Sequence, residues 1–190
     1  MRRSPVDRFL LRSLAPGAFE PLELGPAEWE SLWVKARTHC VTPYLYERWR
    51  RSGALARIPP AEAERFATAR WLNLERNRRL AVELGEITAA LEAGGIPALA
   101  VKGLELAERY YGDLGLRVLY DLDLLIRPAD RARSLELLAA LGYVPFAGSA
   151  ARAGADLLWR PKEYLWDAER VLDPERPCLL DLQTRLWEPR

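Results

Sequence analysis

The first half of the chain carries apolar residues at helical spacing. Short segments of this kind occur between residues 5 and 57, and the clearest begins at Pro26, where proline and the nearby Glu28 suit a first helical turn. A second helix is predicted from about Pro43 to Arg51. A longer one starts near Pro59 and ends at the double glycine after residue 93, because glycine commonly follows the last turn of a helix. The pattern predicts a helical N-terminal region over residues 1–95.

The long helix is predicted to have one apolar stripe, whose members recur at steps of three, four and seven residues. They are Ala67, Trp71, Leu74, Ala81, Leu84, Ile87 and Leu91. Arg76 and Arg79 then fall on the exposed side, with Arg70 and Arg78 nearby. These arginines could form a basic strip, but an ordinary solvated helix face is the simpler interpretation.

After the double glycine the pattern changes to short apolar runs, which are typical of strands. The strand candidates are Ile96–Val101, Val118–Ile126, Tyr143–Phe146 and Cys178–Leu182. Helical segments are predicted between them at residues 104–111 and 128–141. We therefore expect an α+β fold in which the helical region precedes a small mixed β-sheet flanked by helices, over residues 96–190.

Composition narrows the classes of function. The 190 residues include 28 basic and 27 acidic ones, so the net charge of +1 indicates no global attraction to nucleic acid or to a membrane. Two distant cysteines and one histidine predict neither a disulfide framework nor a zinc cluster. The longest uncharged run, residues 137–151, is too short and too interrupted for a membrane span, and no signal-peptide pattern appears. We expect a cytoplasmic protein.

Asp121 and Asp123 are the first candidates for chemistry. The alternation of a strand places both on one face, about 6 to 7 Å apart along the chain. Two like charges in an apolar strand require a positive neighbour, and Mg²⁺ is one that prefers oxygen ligands. The alternative is that both acids occupy the solvent face of an edge strand.

Lys102 and Gly103 come directly after the first predicted strand and before a helix. A lysine and the backbone N–H groups of a helix start could together bind an anion. The alternative is an ordinary turn in which Gly103 supplies a permissive backbone angle. The paired acids that follow favour the anion site, because a nucleotide site needs both phosphate and metal binding.

Asp181 lies within the last apolar run, where a lone carboxylate needs a partner. It could join the other two acids in a phosphoryl-transfer site that holds two metal ions. It could equally pair with an arginine such as Arg185.

Around these residues the sequence resembles bacterial nucleotidyltransferase-like proteins of the DNA polymerase beta superfamily. The similarity is dense over Val101–Tyr111 and Gly115–Ile126, which contain the Lys-Gly and Asp-x-Asp motifs. It continues into residues 128–143 with their Leu-Gly-Tyr ending and back into the helical segment 36–46. It therefore covers most of the chain.

The resemblance implies a role for each candidate. Lys102 and Gly103 would hold the triphosphate, Arg117 would support phosphate or the carboxylate strand, and Asp121 and Asp123 would bind Mg²⁺ with Asp181 as the third acid. The expected cofactors are two Mg²⁺ ions, with a nucleoside triphosphate such as ATP as substrate. The expected reaction transfers a nucleoside monophosphate to a hydroxyl group on a protein, an RNA end or a small molecule; a basic groove beside the acids would favour RNA.

Two departures from the family pattern define an alternative function. Family members commonly have acid-Leu-His-Trp at the third-acid strand, whereas this chain has Asp181-Leu182-Gln183-Thr184. They also usually continue beyond this point, so either the natural protein is short or a C-terminal helical part is missing. The alternative is a catalytically inactive binding module that keeps the nucleotidyltransferase fold.

Overall fold

A computed structural model describes residues 4–17, 21, 23–147, 154–164 and 170–185. The chain forms two compact units. The first comprises Met1–Glu75 with Gly115–Val118, and the second comprises Arg76–Leu114 with Leu119–Arg190. The prediction of an α+β fold, with a helical region followed by a mixed sheet, is confirmed.

The first unit is helical. Its elements are α1 (Pro5–Leu14), α2 (Pro26–Thr38), α3 (Thr42–Arg51), a 3₁₀ turn (Ala54–Arg57) and the first part of α4 (Pro60–Ala93). The helix α1 begins at Ser4, whose hydroxyl accepts a hydrogen bond from the backbone N–H of Asp7.

Aromatic side chains fill the core of the first unit. Phe9 packs edge-on against Trp29 and Trp49, with ring centroids 5.3 and 5.9 Å apart, and Phe66 lies 4.8 Å from Trp49. Such large rings bury much apolar area at each contact. The rings of α1, α2, α3 and the first part of α4 therefore form a common core. The helices predicted from Pro26 and near Pro43 are confirmed by α2 and α3.

The extent of α4 agrees with the prediction, but the stripe predicted on it is wrong in part. Trp71 is 58% exposed and Ala81 is also exposed, whereas Arg76, predicted to be exposed, is only 1% exposed. The buried stripe contains polar side chains that bind backbone carbonyls: Asn73 donates to the carbonyl oxygen of Gly115, and Arg76 to that of Arg176. A polar side chain can be buried when backbone carbonyl oxygens accept its hydrogen bonds. A hydrophobicity pattern cannot predict such a residue, since it identifies buried positions from apolar side chains alone.

The possible basic strip on α4 loses two of its members. Arg76 is buried, and Arg79 forms an ion pair with Glu175. The arrangement favours the ordinary solvated face for the exposed side of this helix.

The second unit contains a mixed five-stranded sheet in the order β1-β2-β5-β4-β3. Its strands are β1 (Ala98–Val101), β2 (Asp121–Ile126), β3 (Val144–Pro145), β4 (Ala155–Trp159) and β5 (Leu179–Gln183). Among these described strands, β2 and β5 pair in parallel and the other pairs are antiparallel. The four predicted strands are present, and the sequence interpretation missed β4.

Two helical segments connect the strands where they were predicted. The first is α5 (Gly103–Leu106), which continues as a π-helical turn (Ala107–Tyr111). The second is a 3₁₀ turn (Pro128–Asp130) followed by α6 (Arg131–Ala140).

One face of the sheet forms the core of the second unit. Strand residues that point to this face pack with Ile87 and Leu91 of α4 and with Leu138 of α6; they are Leu122, Leu124, Ile126, Leu158, Leu180 and Leu182. The alternate residues of β2 and β5 therefore point to the opposite face. Among the described residues, no helix has the length and apolar character needed to cross a membrane.

Candidate active site

Two neighbouring strands place three carboxylates on the same face of the sheet. Asp121 and Asp123 alternate with buried leucines on β2, and Asp181 lies on β5 directly beside Asp123 in the parallel register. Neighbouring strands are about 4.8 Å apart, which brings carboxylates from paired positions into one cluster. Both strands are interior strands of the sheet, so the edge-strand alternative for Asp121 and Asp123 does not apply.

Lys102 reaches this cluster from the end of β1. Because β1 pairs with β2 so that Val101 lies opposite Asp123, the next residue emerges beside the acids. The Nζ atom of Lys102 donates to Oδ1 of Asp123 at 2.7 Å. This hydrogen bond raises the pKa of Lys102 above its ordinary value, so the side chain is a stable ammonium ion.

The turn at Lys102 has an unusual backbone. Its φ of 57° and ψ of −113° are the angles of the first central residue of a type II′ turn, a position that favours glycine. The permissive angle that the alternative interpretation assigned to Gly103 is therefore adopted by Lys102. A Cβ atom on Gly103 would be 3.5 Å from Cδ2 of Leu119, an ordinary contact distance, so sterics do not require glycine there.

Gln183 is a member of the cluster that the sequence interpretation did not include. Its side chain is 6% exposed, and Nε2 donates to Oδ1 of Asp123 at 2.9 Å and to Oδ2 of Asp181 at 2.7 Å. The signal was present in the sequence, because Gln183 lies two residues after Asp181 and therefore shares its face of the strand. Within the described part of the chain, Asp181 forms no ion pair with Arg185 or another arginine.

The cluster has an excess of negative charge. Burial, and then the neighbouring charges of Asp123 and Asp181, raise the pKa of Asp121 above its ordinary value. The contact that is close enough for an ion pair is the one between the ammonium of Lys102 and Asp123. Three carboxylates with one ammonium group favour the approach of another cation.

The chemistry of these donors fits Mg²⁺, which binds carboxylate oxygens together with phosphate oxygens. In their present orientation, however, the described residues include no group of three or more His, Cys, Asp or Glu side chains disposed to hold a metal ion. Lys102 and Gln183 occupy oxygens of Asp123 and Asp181 instead. Binding by three carboxylates would require at least one of them to reorient.

Arg117 belongs to the segment that groups with the first unit. The structure fixes its backbone, because its carbonyl oxygen accepts a hydrogen bond from Nδ2 of Asn73 at 3.0 Å. The role that the resemblance implies for its guanidinium group stays a prediction, as do the individual roles of the other candidate residues.

Comparison with protein families supplies the decisive observation. A family model described as uncharacterised nucleotidyltransferase matches residues 25–190. The chain belongs to this nucleotidyltransferase family. The match extends over most of both units and includes every candidate residue of the carboxylate cluster. No curated protein and no solved structure is significantly similar to the chain.

Proposed function

We propose that this nucleotidyltransferase-family protein transfers a nucleoside monophosphate from a nucleoside triphosphate to a hydroxyl acceptor, with divalent-metal catalysis. The observation that carries the proposal is the cluster of Asp121, Asp123 and Asp181 on one sheet face, with Lys102 in contact with Asp123. Family membership supports nucleotidyl transfer as the reaction class.

Each residue of the cluster has a proposed part. Asp121 and Asp123, with Asp181, would hold two Mg²⁺ ions, and bound Mg²⁺ would supply charge neutralisation of the phosphates and activation of the attacking hydroxyl. Lys102 would exchange Asp123 for the triphosphate, because its side chain is 51% exposed and a lysine has a flexible four-carbon stem. Gly103 would hold the triphosphate together with Lys102, and Arg117 would support phosphate or the carboxylate strand.

A test of catalysis uses nucleoside triphosphates labelled at the α-phosphate, supplied in turn with tRNA, with a protein mixture and with hydroxyl-bearing small molecules. We expect Mg²⁺-dependent release of pyrophosphate and transfer of the label, both abolished in the Asp121→Asn, Asp123→Asn double variant. Glu136→Gln, which removes a surface carboxylate from an exposed ion pair, is the matched control and should leave both signals intact.

A second candidate function is a nucleotide-binding module without turnover. It is favoured by the contacts of Lys102 and Gln183, which donate hydrogen bonds to oxygens of Asp123 and Asp181 that a metal ion would otherwise use. Such a module would bind nucleotide with equal affinity in Mg²⁺ and in chelator, and it would release no pyrophosphate. Titration of nucleotide in Mg²⁺ and in chelator, read together with the release assay, therefore separates the two functions.

A further inference from the structure

Gln183 has an unusual position for a neutral residue, because it lies between two carboxylates from different strands. Asp123 and Asp181 are direct neighbours in the parallel register of β2 and β5. Gln183 follows Asp181 on the same face and pairs in register with Leu125, two residues further along β2 than Asp123. It thus reaches both acids from the same side.

The orientation of the amide follows from its neighbours. Nε2 has two hydrogen atoms, and the two carboxylate oxygens at 2.9 and 2.7 Å use both of them. A rotated amide would direct its carbonyl oxygen at two carboxylates and lose both hydrogen bonds. Electrostatics therefore selects the donating orientation.

The two hydrogen bonds from Gln183 offset the repulsion between the carboxylates of Asp123 and Asp181, which the pairing of β2 with β5 brings together. Paired positions on adjacent strands bring two largely buried carboxylates together, and their repulsion destabilises the folded chain unless donors compensate. Hydrogen bonds to charged groups are stronger than those between neutral groups. Lys102 donates a hydrogen bond to Asp123 alone. Gln183 donates one to Asp123 and one to Asp181, and so links the two acids.

We propose that Gln183 is a positioning residue that ties the carboxylates of Asp123 and Asp181 together in the metal-free protein and holds their unshared oxygens ready for a divalent cation. The part that concerns the cation rests on the proposed function. The part that concerns the carboxylate pair rests on the contacts alone.

The first test is a double-mutant cycle on stability, measured as the urea midpoint of unfolding in EDTA. Gln183→Met keeps the length of the side chain but removes both donors, and we expect it to lower the midpoint. In an Asp181→Asn background most of that loss should disappear, because the carboxylate pair no longer exists. An equal loss in both backgrounds would mean that Gln183 only fills space, and it would overturn the proposal.

The second test uses Mn²⁺ alone as the probe, with Gln183→Met, which removes both donors without adding a ligand. If Gln183 positions the two carboxylates for a cation, we expect this variant to bind Mn²⁺ about tenfold more weakly by calorimetry, whereas the exposed control Glu136→Gln should bind it like the unmodified protein. Equal or tighter Mn²⁺ binding by Gln183→Met would overturn the role toward the cation.

The outcomes separate this proposal from the proposed function. If the unmodified protein binds neither Mn²⁺ nor nucleotide while the stability cycle shows coupling, the tie between the carboxylates stands and the proposed function fails. If the unmodified protein binds both but the cycle shows no coupling, the role of Gln183 fails and the proposed function stands.

Discussion

Lys102 combines a strained backbone with a charged contact. Its φ and ψ fall where glycine is favoured, and residues held in such regions cost about 1–3 kcal/mol each. The ammonium group bound to Asp123 is the feature that glycine cannot supply. Strain of this kind clusters at functional sites, which agrees with a role for Lys102 in the proposed reaction.

Two substitutions of Lys102 distinguish the effect of backbone strain on stability from the effect of the ammonium charge. Lys102→Ala and Lys102→Gly both remove the ammonium group, but only glycine relieves the backbone. After allowance for the greater flexibility of glycine in the unfolded chain, we expect Lys102→Gly to be more stable than Lys102→Ala by about 1 kcal/mol in urea unfolding. Equal stability, or a more stable alanine variant, would show that the turn is not strained.

Glu47 is a buried acid of the first unit that accepts hydrogen bonds from arginine side chains. Hydrogen bonds from Arg50, and next from Arg51, lower the pKa of Glu47 from 4.5 to about 2 against the opposing effect of burial, and Arg70 also contributes. A lowered pKa stabilises the folded state above pH 4.5, and this contribution is lost as the pH falls from about 4.5 to 2.

We therefore expect Glu47→Gln to lower the free energy of unfolding at pH 7 by about 2 kcal/mol, discounted because the arginines are partly exposed. The difference from the unmodified protein should shrink steadily below pH 4.5. Unfolding curves at several pH values measure this, with Glu136→Gln as the exposed control. A difference that does not change with pH would contradict the assignment of the stabilisation to the charge.

Among the elements, α4 depends on polar anchors as well as on apolar packing. Fully buried Asn73 donates to the carbonyl oxygens of Gly115 and Arg117, at 2.9 and 3.0 Å, and so holds the segment Gly115–Val118 against the helix. We expect Asn73→Ala to cost about 2 kcal/mol, because the buried side chain no longer donates its two hydrogen bonds to backbone carbonyl oxygens. Val82→Ala, at an exposed position of the same helix, should have little effect; similar urea midpoints for the two variants would refute the anchor.

The elements differ in how well the sequence predicts them. The change from helical spacing to short apolar runs predicts the α+β order, since periodicity directly reflects which face is buried. The strand β4 was not predicted because its apolar run, Leu157–Trp159, is only three residues long. Its Asp156 forms an ion pair with Arg131, which only the fold brings near. The burial of Arg76 likewise depends on a carbonyl group 100 residues away.

The sequence predicts part of the candidate site, and the rest depends on the tertiary structure. Alternation along β2 correctly places Asp121 and Asp123 on one face, and the parallel pairing of β2 with β5 adds Asp181. Period-two spacing could also have indicated Gln183. Its contact with both carboxylates could not be predicted, because the register of two strands separated by more than 50 residues is a property of the tertiary structure.

At the scale of the whole molecule, family membership covers residues 25–190 and supports nucleotidyl transfer. In the proposed function, Asp121 and Asp123 bind a nucleoside triphosphate through Mg²⁺. The most direct measurement is calorimetric titration of ATP, GTP, CTP and UTP into the protein, with Mg²⁺ and with EDTA, repeated on the Asp121→Asn, Asp123→Asn double variant. We expect saturable binding of at least one nucleotide that requires Mg²⁺ and is lost in the double variant. Absence of binding by the folded, unmodified protein, or equal binding by the double variant, would contradict it.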